Sequence, residues 1–600
     1  MSDLRRESSY HLLDMPRDPY LNRLSSIPRE WLTRFELSDQ KESPRYAETM
    51  AYFNKLAAAS PHAKMFTFGT SPQGRDLNYL VVSNGSEFSP QQARTSWKPV
   101  VLIQNGIHAG EIEGKDAWMI LLRKMLVTKE LQHLLHNLIL LVIPILNVDG
   151  HERVSGTNRP NQNGPEQAGW RTTSHNLNLN RDYMKADTPE MQALLRLFSS
   201  WVPDFYIDNH TTNGADYQYH VTYGIERHQN IDPALAAWGK GYLMPNVLAS
   251  VEKLGFLTAP YIDADSDLRN GFALDPALPR YSTGYAALQN RLALLVETHS
   301  LKPFANRVQS TKAMNEAVLD YIGANAAELK RLNHEADMRA IQLYCTDRHP
   351  FPLELAVTDE ATPFLFKGFE SYEDESPLTG TPIIKYTTTP TEFEVPLYEQ
   401  TEVMKSVTVA LAYCIPEEFS HVIQRLHLHG IEVKTLRGDH ECMVERYRFK
   451  DADFAYRPYE GRQRVECILE TFQQQLVLRH GTFIVRPDQR SVRVIVHLLE
   501  PDSPDSFLRW GFFNSFFERK EYAEPYIMEP TAREMMQRDP ALRDEFYRKL
   551  EEDEEFKNDP AARLEFFYQR SPYVDAAEKV YPIMRIVDQL SFARLTNSLS

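Results

Sequence analysis

Continuous apolar runs alternate with stretches of helical spacing through the first half of the chain. The apolar runs at 100–104, 138–146, 204–208 and 292–296 are typical of buried strands. Apolar positions at helical spacing predict helices at 112–127, 188–200, 233–253 and 311–333. Strands separated by helices indicate an α/β fold with a mixed, mostly parallel sheet flanked by helices. In such folds, sites form beyond the carboxyl ends of the strands.

The sequence pattern changes beyond about residue 345. Short β-rich runs follow at 406–412, 442–449, 482–485 and 492–498, with a helix around 416–427. Residues 505–600 become helical, acidic and aromatic. The predicted organisation is an N-terminal arm at 1–40, an α/β domain at 41–340, a β-rich accessory domain at 345–505, and a helical C-terminal region at 506–600 that packs on the other domains.

Composition and charge narrow the classes of partner. The chain has 600 residues, 42% of them hydrophobic, and a net charge of −16 without any basic run, so we expect no nucleic-acid and no membrane partner. The N-terminus lacks the apolar segment of a secretory signal, which favours the cytoplasm, or a periplasmic or secreted location if a signal has been removed. The four cysteines show no C-x-x-C spacing, so free buried thiols are expected.

A histidine and a glutamate lie in the turn between the first apolar strand and the helix at 112–127. His108 and Glu111 are three residues apart, and nitrogen and oxygen donors of this kind are ligands that Zn²⁺ accepts. An ordinary polar turn is the alternative for this pair alone. His210 follows the strand at 204–208 and is a candidate third ligand, which would leave one position for water.

A second carboxylate ends the strand at 292–296. Glu297 would be partly desolvated at the end of a buried strand, and desolvation raises a carboxyl pKa towards the working range of a general base. A structural, ion-paired glutamate is the alternative interpretation.

Taken in order, these residues resemble one known family. The motif His108-Ala-Gly-Glu111, then Asn180-Arg181, then the strand-end His210 and Glu297 are similar to the zinc metallocarboxypeptidase family typified by carboxypeptidase A. The resemblance covers roughly residues 45–330. The sequences Asn147-Val-Asp-Gly150 and Gly74-Arg75 agree with it.

The resemblance implies a metal site and a role for each matching residue. His108, Glu111 and His210 would bind Zn²⁺, and Glu297 would be the general base and acid. Arg171, which follows Trp170, would polarise the scissile carbonyl.

The resemblance also implies how the substrate is bound. Asn180 and Arg181 would bind the free α-carboxylate of the substrate, since a guanidinium pairs with a carboxylate through two hydrogen bonds. Arg75 would contact the substrate further from its C-terminus, or be an exposed turn arginine.

Two parts of the family pattern stay open in the sequence. The family places a mobile tyrosine upstream of the glutamate strand, and neither Tyr281 nor Tyr285 is assigned to it. The pocket for the terminal side chain should come from residues 255–290. That stretch contains four aspartates, so a basic terminal side chain is conceivable, with solvated loop acids as the alternative: Asp263, Asp265, Asp267 and Asp275.

Three functions remain possible at this point. The first is a zinc metallocarboxypeptidase acting on the C-terminal peptide bond of peptides. The second is a zinc amidohydrolase or deacylase acting on acylated amino acids, or a cell-wall peptide hydrolase of the same superfamily. The third is an inactive binding protein in which the β-rich second domain does the binding. The sequence leaves the oligomeric state open.

Overall fold

A computed structural model of the chain describes residues 24, 26–262 and 268–596. They form two compact units. The first contains the residues up to 411 together with 418–434 and 485–506, and the second contains 412–417, 435–484 and the residues from 507 onward. Most of the predicted arm at 1–40, and the aspartates at 263, 265 and 267, lie outside the described residues.

The first unit contains thirteen of the described strands. They are β1 Ala63–Thr70, β2 Asp76–Val82, β3 Val100–Asn105, β4 Ile139–Ile143, β5 Phe205–Thr211, β6 Val221–Ile225, β7 Thr258–Pro260, β8 Phe272–Ala273, β9 Leu292–Thr298, β10 Phe351–Val357, β11 Ala361–Glu375, β12 Pro382–Tyr398 and β13 Thr401–Val407.

The same unit contains thirteen of the described α-helices. They are α1 Arg34–Leu37, α2 Tyr46–Ala59, α3 Pro90–Thr95, α4 Glu113–Leu126, α5 Val148–Glu152, α6 Pro189–Trp201, α7 Pro233–Trp238, α8 Met244–Glu252, α9 Ser282–Leu288, α10 Phe304–Ala324, α11 Ala326–Ile341, α12 Ser420–Leu428 and α13 Val492–Leu499.

Eight strands form the central sheet, in the order β1-β2-β4-β3-β5-β9-β6-β7. The four middle strands β4, β3, β5 and β9 are parallel, whereas β1, β2 and β6 join through antiparallel pairs. Strand β7 pairs with β6 in parallel. The predicted mixed, mostly parallel sheet flanked by helices is therefore confirmed, and the parallel strands end at one edge.

The hydrophobic core explains why these segments are strands and helices. Residues of β3, β4, β5 and β9 pack with α4, α8 and α10 in one large cluster of buried side chains. Strands β3 and β4 are buried along their whole length, as expected of strands with helices on both faces.

Three predicted elements differ from the structure. The predicted helix at 311–333 is two helices, α10 and α11, separated at Asn325. The predicted helix at 233–253 is interrupted by a π-helical turn at Gly239–Leu243. The predicted β-rich run at 492–498 is the helix α13, all of whose residues are buried, and a fully buried apolar run carries no periodicity that separates a strand from a helix.

The compact units also divide the chain differently from the predicted domain boundaries at 340, 345, 505 and 506. Strands β10 to β13 lie in the first unit together with the central sheet. The reason is long-range pairing, because β12 pairs with β8 at Leu397↔Phe272 and Tyr398↔Ala273. A change in sequence texture at 345 is therefore not a boundary between compact units.

The second unit has its own sheet and helices. Its described elements are β14 Ala412–Ile415, β15 Lys434–Thr435, β16 His440–Phe454, β17 Val465–Leu478, β18 Phe483–Val485, β19 Met584–Ile586, α14 Pro525–Arg538, α15 Pro540–Glu552, α16 Glu554–Asn558, α17 Pro560–Tyr568 and α18 Gln589–Thr596. The sheet order is β15-β18-β14-β19-β16-β17. The β-rich C-terminal region that the sequence predicts is thus present.

The remaining expectations concern membranes and cysteines. Across the described ranges, none of the helices combines the length and the apolar character needed to span a bilayer. All four cysteines are thiols rather than disulfides, with Cys414 and Cys442 buried and Cys345 and Cys467 half-buried.

Candidate active site

The turn after β3 brings His108 and Glu111 to the edge of the sheet. Gly106 takes a left-handed backbone conformation, with φ of 63°, at the point where the chain leaves the strand. The backbone N–H of Glu111 then donates to the carbonyl of His108 at 2.9 Å, which closes a tight turn before α4 begins. Both side chains are 3% exposed.

His210 and Glu297 lie on neighbouring strands at the same edge. They are direct partners in the parallel pairing of β5 with β9. Side chains of paired residues point to the same face of a sheet, so the two groups lie side by side. The sequence expectation that His210 follows its strand is slightly wrong, since β5 continues to Thr211.

The three predicted metal ligands come together. One donor atom from each of His108, Glu111 and His210 lies within 4.8 Å of the others. Within the described part of the chain, Nδ1 of His108 is buried and has no hydrogen-bond partner. An orphaned buried nitrogen beside a second imidazole and a carboxylate fits the donor set of Zn²⁺.

Outer groups orient these ligands. Nε2 of His210 lies 2.7 Å from Oδ2 of Asp208, and the Gln104 amide donates to Oδ1 of the same carboxylate at 2.9 Å. Burial opposes the charged form of His210, yet Asp208 and Glu111 raise the pKa of His210 well above its usual value. The sequence reasoning missed Asp208. Its signal was available, because a residue two positions before His210 on a strand shares its face.

Two arginines lie against the glutamate ligand. Arg171 donates from Nη1 to Oε1 of Glu111 at 3.1 Å, and its Nη2 lies 3.1 Å from Nε2 of His108. Arg159 donates to the same oxygen of Glu111 at 2.7 Å. Burial disfavours the carboxylate, but His108 and Arg159 hold the pKa of Glu111 well below its usual range. Arg159 lies in a long loop, where no pattern in the sequence pointed to it.

Glu297 is buried beside His210. It is 8% exposed, and its Oε2 has no hydrogen-bond partner among the described residues. Burial raises the pKa of Glu297 to about 8, and the negative charge of Glu111 adds to this while His210 opposes it. A carboxyl group with a pKa near neutrality can both accept and return a proton.

A cavity of about 470 Å³ opens from the trio. Among the predicted site residues, it is lined by His108, Glu111, Arg171, Asn180, Arg181, His210 and Glu297. This cavity is where a substrate would meet all of these groups at once.

A short 3₁₀ turn, Leu179–Arg181, carries the predicted carboxylate anchor into the cavity. Oδ1 of Asn180 accepts the backbone N–H of Ser282 at 3.3 Å, and the Arg181 guanidinium lies 4.5 Å from the centre of the Tyr281 ring. The following residue fixes this turn, because Asp182 accepts the backbone N–H groups of residues 187 and 188.

The two unassigned tyrosines differ in position. Tyr281 lines the cavity beside Arg181. Tyr285 is fully buried, and its hydroxyl lies 3.0 Å from Nδ1 of His429 and accepts the Gln289 amide at 2.8 Å. Of the pair, only Tyr281 is placed where it can reach a substrate.

Arg75 does not lie at the cavity. Its Nη1 donates to the buried carboxylate of Asp149 at 2.7 Å, and the described cavity lining does not include it. Asp149 belongs to the motif Asn147-Val-Asp-Gly150, and its buried charge requires a cationic partner. Arg75 therefore forms an ion pair in this structure, and its contact with a substrate stays a prediction.

Parts of the chain are similar in sequence to known proteins. Residues 49–232 match the model of the zinc carboxypeptidase family. Carboxypeptidase 2 of Trichophyton rubrum is 23% identical over 496 residues, which cover 79% of this chain and 85% of the relative. Carboxypeptidase Z of Gallus gallus is 30% identical over 149 residues, which cover 23% of this chain and 21% of the relative.

Two solved structures have a similar backbone over about half of the chain. A metallo-carboxypeptidase from Pseudomonas aeruginosa has a TM-score of 0.36 at 20% identity, covering 48% of this chain and 70% of its own. Carboxypeptidase A from Helicoverpa armigera has a TM-score of 0.35 at 18% identity, covering 47% of this chain and 73% of its own.

The trio lies at the strand edge and could hold a metal ion, with the buried Glu297 paired beside His210. The matched segment contains all three ligands as well as Arg171, Asn180 and Arg181, whereas Glu297 lies beyond it. Residues 49–232 match the zinc carboxypeptidase family, and this match, the carboxypeptidase relatives and the trio together indicate a zinc metallopeptidase.

Proposed function

We propose that the chain is a metallocarboxypeptidase that hydrolyses the C-terminal peptide bond of peptides. The single observation that carries the proposal is the common cavity in which Glu297 and the metal trio face the Asn180–Arg181 turn. A hydrolytic centre next to an anchor for a carboxylate favours substrates that end in a free carboxyl group.

The side chains of the cavity supply the proton transfers and the charge stabilisation. Glu297 takes a proton from the attacking water and returns it to the leaving amine, which its raised pKa allows. Arg171 places a fixed positive charge where the scissile carbonyl oxygen becomes negative. His108, Glu111 and His210 would hold Zn²⁺, which would supply Lewis acidity at the water and the carbonyl.

The substrate is positioned by its terminus. The Arg181 guanidinium pairs with the α-carboxylate, and the Asn180 backbone fixes the guanidinium, because its carbonyl accepts from Nη1 at 2.7 Å. Tyr281 covers the guanidinium on one side. Binding at this point places the last peptide bond, and no other, beside Glu297.

Paired peptides test the proposal. The zinc-loaded chain is given two peptides of the same sequence, one with a free C-terminus and one with an amidated C-terminus. Release of the terminal residue is measured. We expect turnover of the free peptide and at least about 100-fold slower turnover of the amidated one, as loss of a charge-assisted contact implies. Equal turnover of both peptides would point instead to an endopeptidase or amidase, and activity on acylated amino acids alone would point to a deacylase.

Arg181 provides the residue-level test. R181A should lower kcat/KM for the free peptide roughly 30- to 1000-fold, because a charge-assisted anchor is lost. This corresponds to about 2–4 kcal/mol of lost transition-state binding energy. The control is R153A, which removes an exposed arginine that stacks on Trp170 outside the cavity lining. If R181A discriminates free from amidated peptides as well as the parent does, the anchor lies elsewhere.

A further inference from the structure

The segment between the proposed anchor and helix α6 has a strained backbone. Residues 182–188, here named the anchor linker, lead from Arg181 to the start of α6. Within it, Ala186 takes a left-handed conformation, with φ of 51°. This conformation is unfavourable for a residue with a Cβ, and it persists only where surrounding groups hold it. The position of Arg181 in the cavity therefore depends on the contacts that fasten the residues directly after it.

Charged groups inside the anchor linker hold part of it. The carboxylate of Asp182 accepts the backbone N–H of Asp187 at 2.9 Å and that of Thr188 at 2.8 Å. Lys185 donates from Nζ to the same carboxylate at 2.6 Å, and both of these side chains are fully buried. The Lys185 ammonium group also lies 3.3 Å from Oδ2 of Asp187. Of these three charged groups, two are negative and one is positive, so the cluster gains from a second cation.

Helix α12 supplies that cation from a distant part of the chain. Arg425 donates from Nη2 to Oδ1 of Asp187 at 3.0 Å and from Nε to the backbone carbonyl of Lys185 at 2.8 Å. This carbonyl belongs to the residue directly before the left-handed Ala186. Because a guanidinium is planar and rigid, the two contacts fix the carboxylate and the carbonyl relative to each other. One largely buried side chain thus balances the charge of the cluster and holds the strained part of the backbone.

Helix α12 is itself held against this part of the fold. It belongs to the same compact unit as the anchor linker, and three of its apolar residues are buried. Beyond the helix, Nε2 of His429 lies 3.3 Å from the carbonyl of Met184, which is the residue before Lys185. A Cβ at Gly430 would lie 3.0 Å from Cβ of Ser199, so the backbone also approaches α6 closely. The contacts of Arg425 are therefore made from a fixed element.

We propose that Arg425 is a positioning residue for Arg181, so that recognition of a carboxylate by this chain depends on helix α12. The inference rests on the proposed carboxypeptidase function, in which Arg181 pairs with the α-carboxylate of the substrate. Arg425 lies far beyond residues 49–232, which match the family model. It acts through the anchor linker, whose first residue, Asp182, follows Arg181 directly. A displacement of Arg181 by about 1 Å is enough to weaken its pairing with a substrate.

The metal trio has separate support, which allows the two effects to be told apart. Asp208, beside His210, accepts the Gln104 amide at 2.9 Å. The Tyr183 hydroxyl lies 2.7 Å from that of Tyr206 and donates to Oε1 of Gln104 at 3.3 Å. Arg425 takes part in none of these contacts. Its loss should therefore affect the carboxylate anchor and leave zinc affinity unchanged.

R425A is tested with two peptides of one sequence, one ending in a free carboxylate and one in an amide. We expect kcat/KM for the free peptide to fall about 10- to 100-fold, mainly through a higher KM. For the amidated peptide it should stay within about threefold of the parent value, as should zinc affinity measured by chelator competition. An equal loss on both peptides, or discrimination as strong as in the parent, overturns the proposal.

Two further variants separate positioning from general stability. R425K keeps the charge opposite Asp187 but cannot make both directed contacts, so it should lose less discrimination than R425A. R291A is the matched control, because Arg291 also donates to a backbone carbonyl, that of Asn290 at 2.8 Å, and to the carboxylate of Asp337 at 3.0 Å. Arg291 lies outside the described cavity lining, so R291A should lose stability and keep the discrimination of the parent. A loss of discrimination in R291A equal to that in R425A overturns the proposal.

A binding measurement distinguishes failure of this inference from failure of the proposed function. Calorimetry compares Nα-acetyl-leucine with Nα-acetyl-leucinamide on the zinc-loaded parent and on zinc-loaded R425A. A preference of the parent for the acid that falls at least about fivefold in R425A supports the positioning role, even if no peptide is hydrolysed. An equal preference in both proteins overturns this inference alone, whereas no preference in the parent overturns the proposed anchor together with it.

Discussion

The proposed role of Glu297 depends on the groups that surround its carboxyl group. A solvated glutamate would be ionised far below neutral pH and would be a weak base, whereas burial raises the pKa of this one to about 8. The pairing of β5 with β9 places it beside His210. Position and pKa together, rather than residue type, make it the candidate base.

E297Q should retain zinc and lower kcat by about 10² to 10⁴-fold, because the amide cannot accept the proton of the water. Zinc content and steady-state rates measure this. E190Q is the matched control, since Glu190 is likewise a buried glutamate, with a pKa raised by burial to about 7, and lies outside the described cavity lining. An unchanged kcat in E297Q would remove Glu297 from the mechanism.

Asp208 should matter for metal affinity, because it fixes the ring of His210 from a distance of 2.7 Å. We expect D208N to weaken zinc binding by about 10- to 100-fold, the usual effect of losing an outer carboxylate partner of a histidine ligand. Competition with a chelator measures the affinity. N78D, at a half-buried residue of β2, is the control variant and should keep the zinc affinity of the parent. Equal zinc affinity of D208N and the parent would contradict the prediction.

Sequence reasoning succeeded at residues that follow strand ends and was less successful elsewhere. His108, Glu111 and His210 could be predicted to meet because parallel strands end at one edge. Arg75 could not be placed, because its partner Asp149 is distant in sequence. Arg159 contacts Glu111 from a loop. A loop sequence has no periodicity from which such a contact could be predicted.

At the scale of elements, helix α4 supports the metal turn through an unusually close approach to the sheet. A Cβ at Gly114, the second residue of the helix, would lie 2.3 Å from Oδ1 of Asn105 and 2.6 Å from Cβ of Asn209. Asn105 lies on β3, and Asn209 lies on β5, one position before His210. Glycine at this position therefore lets the helix, the turn and the strand meet.

G114A should lower stability by about 1–3 kcal/mol through overpacking, despite the higher helix propensity of alanine, and should weaken zinc binding as well. Unfolding midpoints and chelator competition measure both effects. G241A is the control, since a Cβ at Gly241 meets nothing within 4 Å. If G114A matches G241A in both measurements, the close approach at Gly114 contributes neither to stability nor to zinc binding.

The elements that the sequence predicted well are those with clear periodicity and clear ends. Helix α6 begins at Pro189, with the Thr188 side chain accepting the backbone N–H of Met191, as its sequence indicates. Helix α13 was predicted as β-rich because its residues are buried on every side. Tertiary packing, which the sequence does not display, decided that case.

At the scale of the whole molecule, several histidines are buried in neutral form, and His429 is a clear example. Its Nδ1 lies 3.0 Å from the Tyr285 hydroxyl and its Nε2 lies 3.3 Å from the Met184 carbonyl, an arrangement that suits the neutral ring. Burial lowers the pKa of His429 to about 4. Because the unfolded chain takes up this proton near pH 6.5, stability is lost as pH falls from about 6.5 to 4.

H429Q should remove this contribution to the acid sensitivity, on the order of 3 kcal/mol between pH 6.5 and 4. The variant should be less stable than the parent at pH 7 and lose less stability on acidification. Urea midpoints at both pH values measure the difference. H133Q, at an exposed histidine, should keep the slope of the parent, and an identical slope in H429Q would contradict the assignment.

The division of the chain was the least predictable property at this scale. A prediction from texture divides the chain near 345, whereas pairing of β8 with β12 keeps residues up to 411 in one compact unit. Such pairing depends on contacts between residues more than 100 positions apart, which local patterns do not encode.

The same pairing joins segments of the chain that are synthesised at different times. The ligands and Glu297 are all synthesised before residue 398, with which β8 and the wall at 274–278 are completed. The backbone N–H of Leu274, at the start of that wall, donates to the carbonyl of Tyr398 at 2.8 Å. A nascent chain has therefore synthesised His108, Glu111, His210 and Glu297 before the strand that pairs with β8 is complete.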